Sequence, residues 1–292
     1  MVAITVETEP APSTSAPKMR APKGACDAHS HVFGPFDAFP PKAPSVYALP
    51  DTPLEKHEAY RKTLGVQYGV LTQPAPYADD PSAMLDALRR SGGSLRGTAV
   101  AKAGIAPATL EAWRDAGVRA LRFIEMRTPS GGRYPGSAGI TDLLALEPIL
   151  RELGMHAQLW ISAHDIAANA SQLERIKIPL VFDHMGQPDA NAGPDHVDFQ
   201  TLLRLLKDGG RWVKLSTCRV TRNASEDAVH KLHDAFIETR PDALVWGTDW
   251  PFVRMDTPPD AGALMDQFLN WTADESLIRR ILVDNPKTLY DF

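Results

Sequence analysis

The chain has 292 residues, 43% of them hydrophobic and 23% charged, a globular balance that excludes a wholly disordered, collagenous or coiled-coil chain. Lys and Arg number 31 against 36 Asp and Glu, for a net charge of −5, so no basic excess exists to hold nucleic acid or an anionic membrane surface. No stretch reaches the roughly 18 unbroken apolar residues of a membrane helix, and the two cysteines, Cys26 and Cys218, fit a reducing, cytoplasmic compartment rather than a disulfide framework.

Residues 1–23 are dominated by Pro, Ala, Ser and Thr and carry no apolar period, which predicts a flexible arm. Glu7, Glu9 and the lack of an apolar run argue against a signal peptide. Residues 24–292 then repeat one pattern, a short apolar run followed by a helical stretch. The predicted strands are 25–29, 67–73, 95–100, 118–123, 156–160, 180–183, 212–216 and 244–247. The clearest helical stretches are 81–91, 107–116, 141–153, 164–176, 198–207 and 225–239, with a last helical region over about 260–282. Pro81 and Pro107 suit a first helical turn.

Strands that alternate with helices must pair in parallel, because each return needs a crossover. Eight such units in one domain predict an α/β fold, a closed (β/α)8 TIM barrel. The runner-up, an open doubly wound sheet, lacks its Gly-rich turn after the first strand, which runs instead into Asp27-Ala-His-Ser-His.

Barrel chemistry gathers at the C-terminal ends of strands. There the sequence places His29 and His31, Gln73, Arg122, Trp160, Asp183 and His184, Arg219, and Asp249. His29 and His31 stand at i, i+2 and share one strand face. Asp249 follows an apolar strand in Trp246-Gly-Thr-Asp249-Trp-Pro; desolvation there is expected to raise its pKa and suit it as a general base, the alternative being a helix N-cap. His184 can donate to a developing oxyanion or bind a metal, or be held by Asp183. His156, at the start of its strand, is expected to be structural; His57, His164, His196, His230 and His233 are assigned to the surface.

Arg122, Arg127, Arg219 and Arg222 follow predicted strands on the same rim. Guanidinium groups suit bidentate contact with carboxylate or a similar anion, so a small anionic substrate is expected. His29, His31, His184 and Asp249 would also make a zinc set. A two-metal site would need a lysine on the fourth strand, where this chain has Arg122.

The strings Asp27-Ala-His-Ser-His-Val-Phe-Gly-Pro, Asp183-His-Met-Gly-Gln-Pro-Asp, Trp246-Gly-Thr-Asp-Trp-Pro and Asp284-Asn-Pro-Lys-Thr-Leu-Tyr resemble the amidohydrolase superfamily. The branch most resembled is that of the 2-pyrone-4,6-dicarboxylate lactonases and related sugar and muconolactone lactonases, and the likeness runs from Gly24 to Phe292. It implies hydrolysis of an anionic lactone from aromatic-compound breakdown. Asp249 would activate water, while His29, His31 and His184 polarise the carbonyl. It implies no obligatory metal, a single zinc being the alternative, and matches Tyr47 to a substrate-binding tyrosine. Two positions depart from the pattern: Gln187 stands for an arginine and Trp160 for a tyrosine. These changes favour a lactone with a different second substituent, such as a muconolactone bearing carboxylate or sulfonate. Either Arg219 or Arg222 would fill the place of an arginine after the seventh strand. The alternative activity on the same barrel is a metal-dependent decarboxylase or a lactone isomerase; a non-enzymatic binding protein would have no need of Asp249.

Overall fold

A computed structural model describes residues 7–292. Its strands are β1 (Thr8–Glu9), β2 (Cys26–Ser30), β3 (Leu49–Pro50), β4 (Tyr68–Thr72), β5 (Leu95–Ala99), β6 (Val118–Ile124), β7 (His156–Trp160), β8 (Leu180–Phe182), β9 (Arg211–Leu215) and β10 (Leu244–Trp246). The helices are α1 (Leu54–Leu64), α2 (Ser82–Arg90), α3 (Pro107–Asp115), α4 (Ile140–Glu152), α5 (Ala163–Ala168), α6 (Ala170–Leu173), α7 (Val197–Lys207), α8 (Glu226–Thr239), α9 (Ala261–Thr272), α10 (Glu275–Arg279) and α11 (Asn285–Tyr290).

Strands β2 and β4–β10 form one eight-stranded parallel sheet in chain order. Beyond the regular ladder, Asp249 N donates to His29 O at 2.8 Å and His31 N to Trp250 O at 2.9 Å, joining the last strand end to the first. The molecule is the (β/α)8 barrel expected. Its strands are buried on both faces, which is why they read as nearly unbroken apolar runs. No helix of the described residues is long and apolar enough to cross a membrane.

Two expectations are corrected and a third, the last helical region, is refined. The stretch 164–176 is not one helix: α5 ends at Asn169, whose side-chain amide donates to Asp165 O at 2.8 Å, a local bond that competes with helix continuation. The region 260–282 breaks at Ala273, where φ is 53°, and Asp274 caps α10 anew. The arm is docked over residues 7–23. β1 pairs with β3, the Ser15 backbone N–H donates to Asp260 at 2.7 Å, and the backbone N–H groups of Lys18 and Met19 donate to Asp266, each at 2.9 Å. Asp260, which caps α9, and Asp266 within it thus supply acceptors that the composition of the arm did not reveal. Residues 1–6 of that arm lie outside the described residues.

Candidate active site

Asp27 builds the floor of the site. Its buried carboxylate accepts from the backbone N–H of His29 at 3.1 Å, from Thr248 N at 3.0 Å and Oγ1 at 2.7 Å, and from Tyr60 Oη. The first and last strands are thereby fastened beside the histidines. Gly247 permits the close approach, since a Cβ there would lie 2.7 Å from both Cβ and N of His29. His184 and Asp249 both hold left-handed backbone, with φ of 51° and 70°, a conformation that persists only where the surroundings impose it.

Asp249 is the meeting point. Oδ1 lies 3.2 Å from His31 Nε2 and 3.5 Å from His29 Nε2, and Oδ2 accepts from Arg219 Nε at 2.5 Å. The ring of His184 packs 4.7 Å from that of His29. Desolvation alone was expected to raise the Asp249 pKa; the structure reverses that expectation. Burial does oppose the charge, but Arg219 and then the neighbouring histidines outweigh it and hold the carboxyl well below its ordinary range. Burial pushes His184 down to about 4, so its ring is neutral at neutral pH.

Beneath this layer lies a residue the sequence reasoning missed. Lys214, on β9, is fully buried. Its Nζ stands 2.5 Å from Gln158 Oε1, 3.1 Å from His29 Nδ1 and 3.2 Å from Asp183 Oδ1. Asp183, considered only as a holder of His184, faces Lys214 and His29 instead, with His29 Nδ1 at 3.4 Å. Burial opposes its charge, yet Lys214 and His29 hold it well below the usual carboxylate range. Burial and Lys214 together push His29 well down. A lysine inside an apolar strand, in Trp212-Val-Lys214-Leu-Ser216, was the available signal.

The cavity above has two parts. The inner pocket is lined by His31, Tyr47, Arg122, Trp160, His184, Arg219, Asp249 and Arg254, and by Tyr134, which was not predicted. Trp160, Tyr134, Arg219 and Arg254 continue into an outer cavity that adds Arg127, Gln187 and Arg222. His29 lies just below, fully buried. Arg122 donates to Gln73 O at 3.1 Å and stands over the Trp160 ring at 5.7 Å. Trp160 Nε1 donates to Gln187 Oε1 at 3.3 Å, so the two departing positions touch each other. Of the two arginines left open, Arg219 reaches Asp249 and Arg222 stays in the outer cavity.

Among the other histidines, His156 is buried at the start of β7, beside Gln158 and Tyr290. The surface assignment fails for two. His57 is buried, with Nε2 2.9 Å from Ser30 Oγ, and His233 is buried against Phe268 and Trp271. A metal could be held where His29, His184 and Asp249 offer donor atoms within 4.8 Å of one another. Two fixed cations stand against that set, Lys214 at His29 and Arg219 at Asp249. His31 Nδ1 donates to Thr72 O at 2.5 Å, which leaves Nε2 turned toward Asp249.

The model of the amidohydrolase family matches residues 26–292. The chain belongs to the amidohydrolase family. Over 288 residues it is 32% identical to a 2-pyrone-4,6-dicarboxylate hydrolase of Comamonas testosteroni, covering 94% of this chain and 93% of that one. It is also 32% identical over 281 residues to a 4-sulfomuconolactone hydrolase of Hydrogenophaga intermedia, covering 92% and 89%. A crystal structure of an Agrobacterium tumefaciens protein in its apo form superposes with a TM-score of 0.81 at 23% identity, covering 95% of this chain and 99% of that one. In this amidohydrolase the histidines, the aspartate and the arginines of the motifs therefore converge on one end of a family barrel.

Proposed function

We propose that this amidohydrolase opens an anionic lactone by adding water to the ring carbonyl. One observation carries the reading: a buried carboxylate, Asp249, faces three histidines directly beneath an arginine-lined pocket. Asp249 takes a proton from water as the water oxygen bonds to the carbonyl carbon. His29 and His184 donate to the oxygen that gains charge, the preorganised electrostatics that acyl transfer requires, while His31, whose Nδ1–H is given to Thr72 O, sets Nε2 against Asp249. The ring C–O bond then breaks, and the departing oxygen takes the proton from Asp249. Arg122 and Arg219 hold the substrate anion close to the carbonyl, with Arg127 and Arg222 further out.

The hydrolase names of the two relatives, which specify a pyrone dicarboxylate and a sulfomuconolactone, support lactone opening. Gln187 and Trp160 favour a carboxylated or sulfonated muconolactone over the pyrone dicarboxylate. No metal is needed for these steps. The test is a hydrolysis screen over a panel of anionic lactones, with metal analysis of the same sample. Ring opening of at least one muconolactone is expected; a protein that opens none, yet decarboxylates or isomerises them, overturns the reading.

A further inference from the structure

We propose that Lys214 is a positioning residue that fixes the tautomer of His29, placing the single ring proton on Nε2 so that this atom is a standing hydrogen-bond donor at the floor of the pocket. Only the use of that donor on a lactone carbonyl rests on the function proposed above.

An ammonium group has three hydrogens and no lone pair. Around Lys214 Nζ stand two hydrogen-bond partners, Gln158 Oε1 at 2.5 Å and His29 Nδ1 at 3.1 Å, and the Asp183 carboxylate, an ion-pair partner with Oδ1 at 3.2 Å. If His29 Nδ1 is an unprotonated acceptor, two ammonium hydrogens are received by Gln158 and His29, and the third side of the ammonium faces the Asp183 charge. Gln158 is itself oriented, because its Nε2 donates to Tyr290 Oη at 3.0 Å and its oxygen therefore faces the lysine. The competing arrangement puts the proton on Nδ1 and directs it to Asp183 Oδ1 at 3.4 Å. It turns an N–H toward an ammonium 3.1 Å away and strands one ammonium hydrogen in a fully buried site, where an unmet polar group is costly.

The opposite edge of the ring agrees. His29 Nε2 is buried without a hydrogen-bond partner, and Asp249 Oδ1 lies 3.5 Å from it. A proton at Nε2 lies between ring and carboxylate and points where an oxygen can be received. A cation at Nδ1 also polarises the ring, which strengthens Nε2–H as a donor. A metal ion at Nε2 would have to displace that proton, since a metal ligand needs that lone pair.

The measurement is the long-range 1H–15N spectrum of the uniformly 15N-labelled full chain, with His29 assigned by its loss in His29→Gln. The expected pattern is Nε2–H at neutral pH; an Nδ1–H pattern overturns the proposal. A second variant, Lys214→Met with Asp183→Asn, removes both buried charges so that neither is left unpaired. Its His29 should lose the Nε2–H preference, and on the lactone that the parent hydrolyses best kcat should fall about 100-fold, the scale of one oxyanion donor, with KM little changed. An unchanged tautomer in that variant equally overturns the role of Lys214. If the variant fails to fold, an Nδ1–H pattern in the parent spectrum still overturns the proposal. The spectrum needs no substrate, so its outcome and that of the lactone screen stand apart.

Discussion

Arg219 Nε donates to Asp249 Oδ2 at 2.5 Å, in a pocket where both side chains are buried. This contact sets the acid behaviour of the site. A free Asp titrates near about 3.9, and in the folded chain burial is outweighed by Arg219 and the histidines, which hold Asp249 well below that. The ionised form is therefore kept, and its stabilisation is present above the unfolded value and lost only as pH falls through the depressed folded value. The acid limb of kcat/KM for the parent should lie below pH ~4. Arg219→Met should move that limb upward, measured as a pH–rate profile of both proteins. Coincident limbs would show that Arg219 does not govern the base.

Asp249→Asn should lower turnover by at least about 100-fold, the lower end of what a positioned base contributes. Arg219 loses its partner in this variant, so a product-like anion should bind as well as in the parent or more tightly. Calorimetry beside a turnover assay checks both halves. Near-normal turnover would move the base to another residue of the rim.

Dialysis against a strong chelator should leave activity unchanged. Lys214 at His29 and Arg219 at Asp249 oppose a divalent cation at two of the three clustered donors. Activity that tracks zinc occupancy would make a metal-bound water the nucleophile and displace Asp249 from its role.

Arg122→Met should weaken kcat/KM on a charged lactone by roughly 10- to 150-fold, since a hydrogen bond to a charged group contributes about 1.5–3 kcal/mol and each 1.4 kcal/mol is a factor of ten. The methyl ester should be a poor substrate of the parent and lose little more in the variant. Arg122→Lys should restore activity only in part, because lysine cannot make the planar two-point contact. Equal turnover of acid and ester by the parent would remove anion recognition from the pocket.

Asp260→Ala should cost about 0.5–2 kcal/mol, the range for loss of a helix N-cap, and should loosen the N-terminal arm. Asp260 both caps α9 at Ala263 N, 3.0 Å away, and accepts from Ser15 N at 2.7 Å. Denaturant unfolding measures the first effect, and faster proteolysis near Ser15 the second. An arm cleaved at the parent's rate would mean that Asp260 serves the helix alone.

The barrel and the upper layer of its site were legible because both arise from strand periodicity. Parallel strands buried on both faces print their length as apolar runs, and the polar residues that end those runs, His29, His31, His184 and Asp249, mark the rim. Helix α1 was not legible. Its inward face is Leu54, His57, Tyr60, Arg61 and Leu64, helically spaced but with polar side chains at the core-facing turns, and His57 was misplaced for the same reason. Lys214 was hidden because alternation along a strand does not say which side is the lumen. The sign of the Asp249 shift was missed because its largest opposing charge, Arg219, sits 30 positions away, and no local pattern reports such a pairing.

The arginine-rich cavity also bears on product release. Ring opening turns a lactone into a hydroxy or oxo acid, so the product carries one more negative charge than the substrate. Arg219 lines both the inner pocket and the outer cavity, and Arg222 and Arg254 flank the way out. On the proposed function, the residues that draw the anion in would hold the product harder than the substrate. Departure rather than bond breaking would then pace the cycle, with turnover quickened by added salt and slowed by accumulated acid.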